Sequence, residues 1–133
     1  LNDTFGHVAG DACLREVAAR LNGAFRNAGL VARIGGDEFA LILRAPVAPA
    51  QIVRVLQETV VMLCRPFFWN GLRLEIGASV GATLVGRPHP RRITELFAEA
   101  DVALYDAKAA GRNRVFLFSN EGGSRSASLE AIA

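Results

Sequence analysis

Two glycines and two acidic residues follow one another at Gly35, Gly36, Asp37 and Glu38. Glycine lets the backbone approach a bulky ligand and adopt positive φ angles that other residues avoid. Adjacent carboxylates concentrate negative charge, and Mg²⁺ relieves it by binding a few carboxylate oxygens together with phosphate oxygens and water. The combination therefore indicates a site for a metal and a phosphate. The alternative is an ordinary exposed turn, in which Gly and Asp are common.

Strand-like segments flank these four residues, at Val31–Ile34 and Phe39–Leu43. The short connection between them predicts a β-hairpin with both carboxylates at its tip. Because Phe39–Leu43 is apolar on both faces, it is predicted to be a central strand of the sheet.

Three helices are predicted around this hairpin, because apolar residues recur at three- and four-residue steps. They run over residues 10–28, 49–64 and 92–110. Further strands are predicted at Phe67–Trp69, Leu72–Ile76, Ala78–Val85 and Val115–Phe118, with an Asn-Gly turn between the first two. Strands joined both by hairpins and by helices predict an α+β fold, in which helices pack on one mixed, mainly antiparallel sheet. Residues 119–133 are rich in Ser and Gly and are predicted to be a flexible tail.

The composition fits one small domain, since 51% of the 133 residues are hydrophobic. A net charge of +2 is too small to indicate binding to nucleic acid or to an anionic membrane. Cys13 and Cys64 lack the spacing of a zinc site and are predicted to be buried free thiols, which fits a reducing cytoplasm. No apolar run approaches the roughly 18–20 residues of a spanning helix, so this domain is not expected to contact a membrane, whatever anchor a longer parent protein carries.

Four blocks of sequence carry a resemblance to a known family. They are Asn2–His7 with Gly10-Asp11, Arg33–Phe39, Ser79–Gly81, and Ala100–Lys108 with Gly111–Asn113. Their residue types and order resemble the GGDEF domain, the catalytic domain of bacterial diguanylate cyclases, over residues 2 to 113. The resemblance implies a fold of the nucleotide cyclase or palm type, with a ferredoxin-like core.

The resemblance also implies a reaction, the condensation of two GTP to cyclic di-GMP with release of two pyrophosphates. The 3′-hydroxyl of each GTP attacks the α-phosphate of the other, assisted by two Mg²⁺ or Mn²⁺ ions per active site. Each domain holds one GTP, so the expected partner is a second GGDEF domain in a homodimer.

Individual roles follow from the motif that each residue matches. Asp37 and Glu38 match the catalytic, metal-binding acids, and Gly35 and Gly36 match positions where the backbone lies along the phosphates.

Two further pairs match substrate-binding positions. Asn2 and Asp11 match the pair that hydrogen-bonds the guanine edge, and Lys108 and Arg112 match the basic pair that holds the terminal phosphates. The alternatives are a helix cap at Asn2, a first-turn acid at Asp11, and helix C-terminal charges at Lys108 and Arg112.

The sequence departs from the family pattern in two places. The family domain opens with a strand that ends in a metal-binding acidic segment, and Leu1 lies just past that position. We therefore expect a domain truncated at its N-terminus over residues 1–118, lacking its first strand and inactive in isolation, with a sensory or receiver domain upstream in the parent protein. The family's inhibitory RxxD site matches Arg26 and Gly29, and glycine at the acid position predicts weak or absent product inhibition.

A second function is compatible with the same residues, namely a non-catalytic module that binds GTP or cyclic di-GMP. The unbroken motif at Gly35–Phe39 favours catalysis.

Overall fold

A computed structural model describes residues 6–44, 48–85, 92–119 and 123–126 of the chain. The chain folds into two compact units. Unit 1 comprises Leu1–Pro46 and Arg65–Ile76, and unit 2 comprises Val47–Cys64 and Gly77–Ala133. The elements in chain order are α1 (Gly6–Phe25), β1 (Gly29–Gly35), β2 (Glu38–Leu43), α2 (Pro49–Leu63), β3 (Phe67–Trp69), β4 (Leu72–Leu74), β5 (Val80–Ala82), α3 (Ile93–Ala109), β6 (Val115–Ser119) and β7 (Gly123–Ser126).

Unit 1 is built from α1 and two antiparallel hairpins, β1–β2 and β3–β4. One face of α1 is buried at steps of four residues, through Ala9, Cys13, Leu21 and Phe25. Four-residue steps keep side chains on one side of a helix, which explains why these small and large apolar residues form one buried face. The core around the start of this helix contains Ala9, Cys13, Leu74 and Ile76, with Val17, Phe67 and Trp69 packed against it.

The predicted Asn-Gly turn is confirmed between β3 and β4. Trp69 is opposite Leu72, so Asn70 and Gly71 form a two-residue loop with φ angles of 49° and 77°. Positive φ at both positions is what a type I′ hairpin turn requires.

Unit 2 contains α2, α3 and a three-stranded sheet in the order β5-β6-β7. β5 and β6 are parallel and are connected through α3, whereas β6 and β7 are antiparallel. Leu56 and Val60 of α2 pack on Val115 of β6, which is fully buried. A Cβ added at Gly81 of β5 would lie 2.2 Å from the backbone nitrogen of Leu104, so glycine lets α3 lie directly on the sheet.

The mixed α+β class is confirmed, but the predicted single sheet is not what the described residues form. They form three small sheets, and within them β2 pairs only with β1. The prediction of a central β2 relied on its two apolar faces. Apolar residues on both faces of a strand indicate that both faces of the sheet are covered. They do not indicate how many neighbouring strands it pairs with, so β2 can have this pattern and pair with β1 alone.

Helix and strand ends also differ from the predicted bounds. α1 begins at Gly6, four residues before the predicted start, because Ala9 extends the buried face of Cys13 by one turn. β4 and β5 are shorter than predicted.

The stretch predicted as a tail contains strand β7, which pairs with β6 from Phe116↔Ser126 to Ser119↔Gly123. Its Ser- and Gly-rich sequence has no alternation of apolar residues, so the strand gave no sequence signal. Among the described residues, none of the helices has the length and hydropathy needed to cross a bilayer.

Candidate functional site

The two glycines and two acids lie at the tip of the β1–β2 hairpin, as the sequence predicts. Gly35 is opposite Glu38 in the register, which leaves Gly36 and Asp37 as a two-residue loop. The φ angle of Gly36 is 52°, in the left-handed region that favours glycine. The tip is therefore a tight turn whose geometry depends on Gly36.

A β-bulge precedes the tip. Arg33 is opposite Phe39 and Gly35 is opposite Glu38, so Ile34 is an extra residue on β1. A bulge bends its strand and redirects the side chains beyond it, and such bulges are common beside active sites. The side chain of Ile34 is exposed.

Arg33 holds the turn from one side. Its Nε and Nη2 donate hydrogen bonds of 3.0 Å and 2.7 Å to the backbone carbonyl oxygen of Gly36. Two donors from one planar guanidinium fix the direction of this carbonyl more firmly than a single donor would. Arg33 belongs to the sequence motif, but its contact with Gly36 is not predictable from the motif, because no pattern of residue types reports it.

Asp37 and Glu38 are exposed, and neither carboxylate forms an ion pair within the part of the chain that the structure describes. In the same part of the chain, no three His, Cys, Asp or Glu residues come together as a metal-binding group. Two carboxylates are too few to supply all the ligands of a metal ion. They do fit a Mg²⁺ ion that arrives with a nucleotide, since Mg²⁺ usually binds one or two carboxylates together with phosphate oxygens and water.

Asp11 lies on α1 in unit 1, the unit that also contains the hairpin tip, and its side chain is exposed. Because α1 begins at Gly6, Asp11 is past the first turn, which contains no acid. The interpretation of Asp11 as a first-turn acid is therefore wrong. Asn2, its predicted partner, lies outside the described residues.

Lys108 and Arg112 lie in unit 2, on either side of the end of α3. Lys108 is in the last helical turn, where a positive charge also interacts favourably with the helix dipole. Arg112 follows the C-cap residue Ala110 and has a φ angle of 64°. Both side chains are exposed, so both are available to an anionic ligand.

Arg26 lies between α1 and β1, and Gly29 lies at the start of β1. The side chain of Arg26 is exposed. A Cβ added at Gly29 would lie 1.9 Å from the backbone oxygen of Ile42 on the paired strand. The position therefore accepts no side chain without movement of the hairpin backbone.

Comparison with known proteins agrees with the motif resemblance. The family model described as "Diguanylate cyclase, GGDEF domain" matches residues 1–114. The probable diguanylate cyclase DgcE of Escherichia coli is 36% identical over 120 residues, which cover 89% of this chain and 11% of that protein. The bifunctional diguanylate cyclase/cyclic di-GMP phosphodiesterase MucR of Pseudomonas aeruginosa is 36% identical over 90% of this chain and 17% of that protein.

A solved structure is similar in fold as well as in sequence. It contains only the GGDEF domain of TpbB from Pseudomonas aeruginosa and superposes with a TM-score of 0.79 at 33% identity, covering 87% of this chain and 67% of that one. The chain thus spans only a small part of the two larger relatives and about two thirds of an isolated GGDEF domain. With its family match and its hairpin of glycines and acids, the chain belongs to the GGDEF domain family of diguanylate cyclases.

Proposed function

We propose that this chain is the catalytic module of a diguanylate cyclase, which condenses two GTP to cyclic di-GMP and two pyrophosphates. The observation that supports this most directly is the hairpin tip, where Asp37 and Glu38 are exposed beside two glycines. An exposed acidic turn without a partner charge is what a metal–triphosphate complex would neutralise.

The residues of the tip bind and orient the reacting groups in this proposal. Gly35 and Gly36 let the backbone lie along the phosphates, and Arg33 keeps the turn in one conformation through the carbonyl of Gly36. Asp37 and Glu38 would hold two Mg²⁺ or Mn²⁺ ions in part, and such ions supply charge neutralisation at the α-phosphate and a lowered pKa for the attacking hydroxyl.

Specificity for GTP comes from other residues. Asp11 accepts the two N–H groups on the guanine edge, which adenine does not offer, and Asn2 completes this recognition. Lys108 and Arg112 hold the terminal phosphates, lysine as a point charge and arginine as a fork.

Each domain holds one GTP, so a homodimer brings the two substrates together, and dimerisation is part of the mechanism. A sensory or receiver domain upstream would control that encounter in the cytoplasm.

The test is turnover of GTP with Mg²⁺ by the full-length protein that carries these residues, with cyclic di-GMP separated by chromatography. Asp37→Asn removes one charge at the tip and is expected to lower turnover at least about 100-fold. Glu95→Gln is the matched control, because Glu95 is also exposed but lies at the start of α3, outside the four blocks that carry the family resemblance. Unchanged turnover in Asp37→Asn would contradict the proposal.

A second candidate is a regulatory module that binds GTP or cyclic di-GMP without turnover. It is supported by the exposure of Asp37, Lys108 and Arg112, which would bind a nucleotide whether or not that nucleotide reacts. GTP binding without formation of cyclic di-GMP by the full-length protein would select this candidate.

A further inference from the structure

The backbone that presents Arg112 is in an unusual conformation. Among the described residues, three non-glycine residues have positive φ, namely Asn70, Arg112 and Asn113, and two of them are consecutive at the end of α3. Gly111 before them has a φ angle of 122°. Non-glycine residues keep such angles only where the surrounding contacts require them. Some contact must therefore hold this segment.

Asn113 makes those contacts through both its backbone and its side chain. Its backbone N–H donates to the Oγ of Ser79 at 3.1 Å, and its Oδ1 accepts from the backbone N–H of Ala78 at 2.9 Å. The Sγ of Cys64 lies 3.9 Å from the same Oδ1. These residues are in unit 2 and are 34 to 49 positions away in sequence.

Gly77 shows how closely the two segments approach each other. A Cβ added to Gly77 would lie 2.8 Å from Oδ1 of Asn113, closer than real Cβ contacts allow. The backbone of Gly77–Ser79 is thus shaped around the Asn113 side chain. The parallel pairing of β5 with β6 begins directly after these residues, where the Val80 N–H donates to the carbonyl of Arg114 at 2.9 Å.

Two local hydrogen bonds also hold the backbone of Arg112, which directly precedes Asn113. The backbone N–H of Arg112 donates to the carbonyl of Ala107 at 3.0 Å, and its own carbonyl accepts from Nε of Arg114 at 3.0 Å. Arg112 is therefore held between the helix end and Asn113. Its Cα–Cβ direction is fixed by a backbone that Asn113 keeps in the left-handed region.

We infer that Asn113 is a positioning residue for the phosphate-binding end of α3. It ties the segment that carries Arg112 to the Gly77–Ser79 loop, so that Arg112 and Lys108 are presented to a triphosphate in one arrangement. The inference rests on the proposed function, because it assigns Lys108 and Arg112 to the terminal phosphates of GTP.

The test is a comparison of affinities for GTP and for GMP, which lacks the terminal phosphates, in the full-length protein. Asn113→Ala is expected to lower the GTP affinity about tenfold and to leave the GMP affinity unchanged. Asn113→Gly keeps the freedom to adopt positive φ but loses the Oδ1 acceptor, so it is expected to lower the GTP affinity as well. Asn70→Ala is the matched control and is expected to change neither affinity, because Asn70 has a φ of 49° in a hairpin of unit 1.

Three results would separate the alternatives. A GTP preference that survives both Asn113→Ala and Asn113→Gly would overturn this inference alone. An equal loss of GTP and GMP affinity would also overturn it, because that pattern marks a general structural role. If Asn113→Ala does not fold, Asn113→Gly and Ser79→Ala give the same comparison. Absence of any GTP preference in the unaltered protein would instead overturn the proposed function.

Discussion

The two glycines of the hairpin tip differ in what the folded chain requires of them. Gly36 has a φ angle of 52°, so the turn itself requires glycine there. Gly35 does not have positive φ, and an added Cβ would meet no atom within 4 Å. The described residues therefore give no steric reason for glycine at position 35, and we propose the close approach of a ligand as the reason.

Substitution of each glycine by alanine separates these two reasons. Gly36→Ala is expected to lower the free energy of unfolding by about 1 kcal/mol, because alanine disfavours the left-handed region. Gly35→Ala is expected to change that free energy by less than about 0.5 kcal/mol and to weaken GTP binding about tenfold through overpacking against the ligand. Chemical unfolding and equilibrium binding are the measurements. Unchanged GTP affinity in Gly35→Ala would contradict a phosphate contact at this position.

Gly29 stands where the inhibitory motif of the family has an aspartate, and the paired strand leaves no room for a side chain there. The carbonyl of Ile42 lies where a side chain would begin, so an aspartate at position 29 requires the β1–β2 backbone to move. We expect Gly29→Ala to lower the free energy of unfolding by about 1–3 kcal/mol. Gly23→Ala is the control, since a Cβ there meets nothing within 4 Å, and a helix interior gains about 0.5–1 kcal/mol from this change.

We propose that weak product inhibition is the functional consequence of the same glycine. With no carboxylate at position 29, Arg26 has no acidic partner in the motif to accept the N–H groups of a guanine. We expect cyclic di-GMP to bind with the same affinity to the unaltered protein and to Arg26→Ala in a calorimetric titration. Submicromolar binding that is lost in Arg26→Ala would refute this prediction.

At the scale of elements, the features set by neighbouring residues could be predicted from the sequence. The features set by contacts between distant residues could not. The β1–β2 hairpin and the Asn-Gly turn were predictable because turn residues act on their own backbone. α1 was predicted but its start was misplaced, because only the buried Ala9 shows that the helix begins before Gly10.

The anchoring by Asn113 could not be predicted from the sequence. Its partners lie 34 and 35 positions away, and no periodicity reports a contact at that separation. The same holds for β7, whose pairing depends on backbone groups alone. The chemistry of the hairpin tip could be predicted because four adjacent residues carry it, whereas the support behind Arg112 became visible only in the folded unit.

The buried position of Cys13 on α1 is expected to make the free energy of unfolding depend on pH. Burial in the core of unit 1 raises the pKa of the Cys13 thiol above its ordinary value of 9.0. The folded state thus retains a proton that the unfolded state loses. The stability contributed by the buried, protonated thiol of Cys13 is present below pH 9 and is lost as the pH rises through the raised pKa of this thiol.

We expect the free energy of unfolding to fall above pH 9 and to fall less steeply in Cys13→Ala, as measured by urea unfolding at a series of pH values. Cys64 is a matched comparison, because it is free but only half-buried. Cys64→Ala is expected to retain the steep fall. A pH dependence unaffected by Cys13→Ala would contradict this account.

At the scale of the whole molecule, the proposed reaction requires two copies of the domain for each product. A protomer with an altered tip then disables the dimer it enters, because the reaction needs the tips of both copies. If dimers reassort at random, an equal mixture of the unaltered protein and Asp37→Asn is expected to have about one quarter of the activity of the unaltered protein at the same total concentration. Domains that act independently would leave about one half. Mixing with Glu95→Gln provides the control and is expected to leave the activity unchanged, since that residue lies outside the blocks that carry the family resemblance. A decline to only one half with Asp37→Asn would show that each tip works independently of the tip of its partner, which would contradict the requirement for two intact tips.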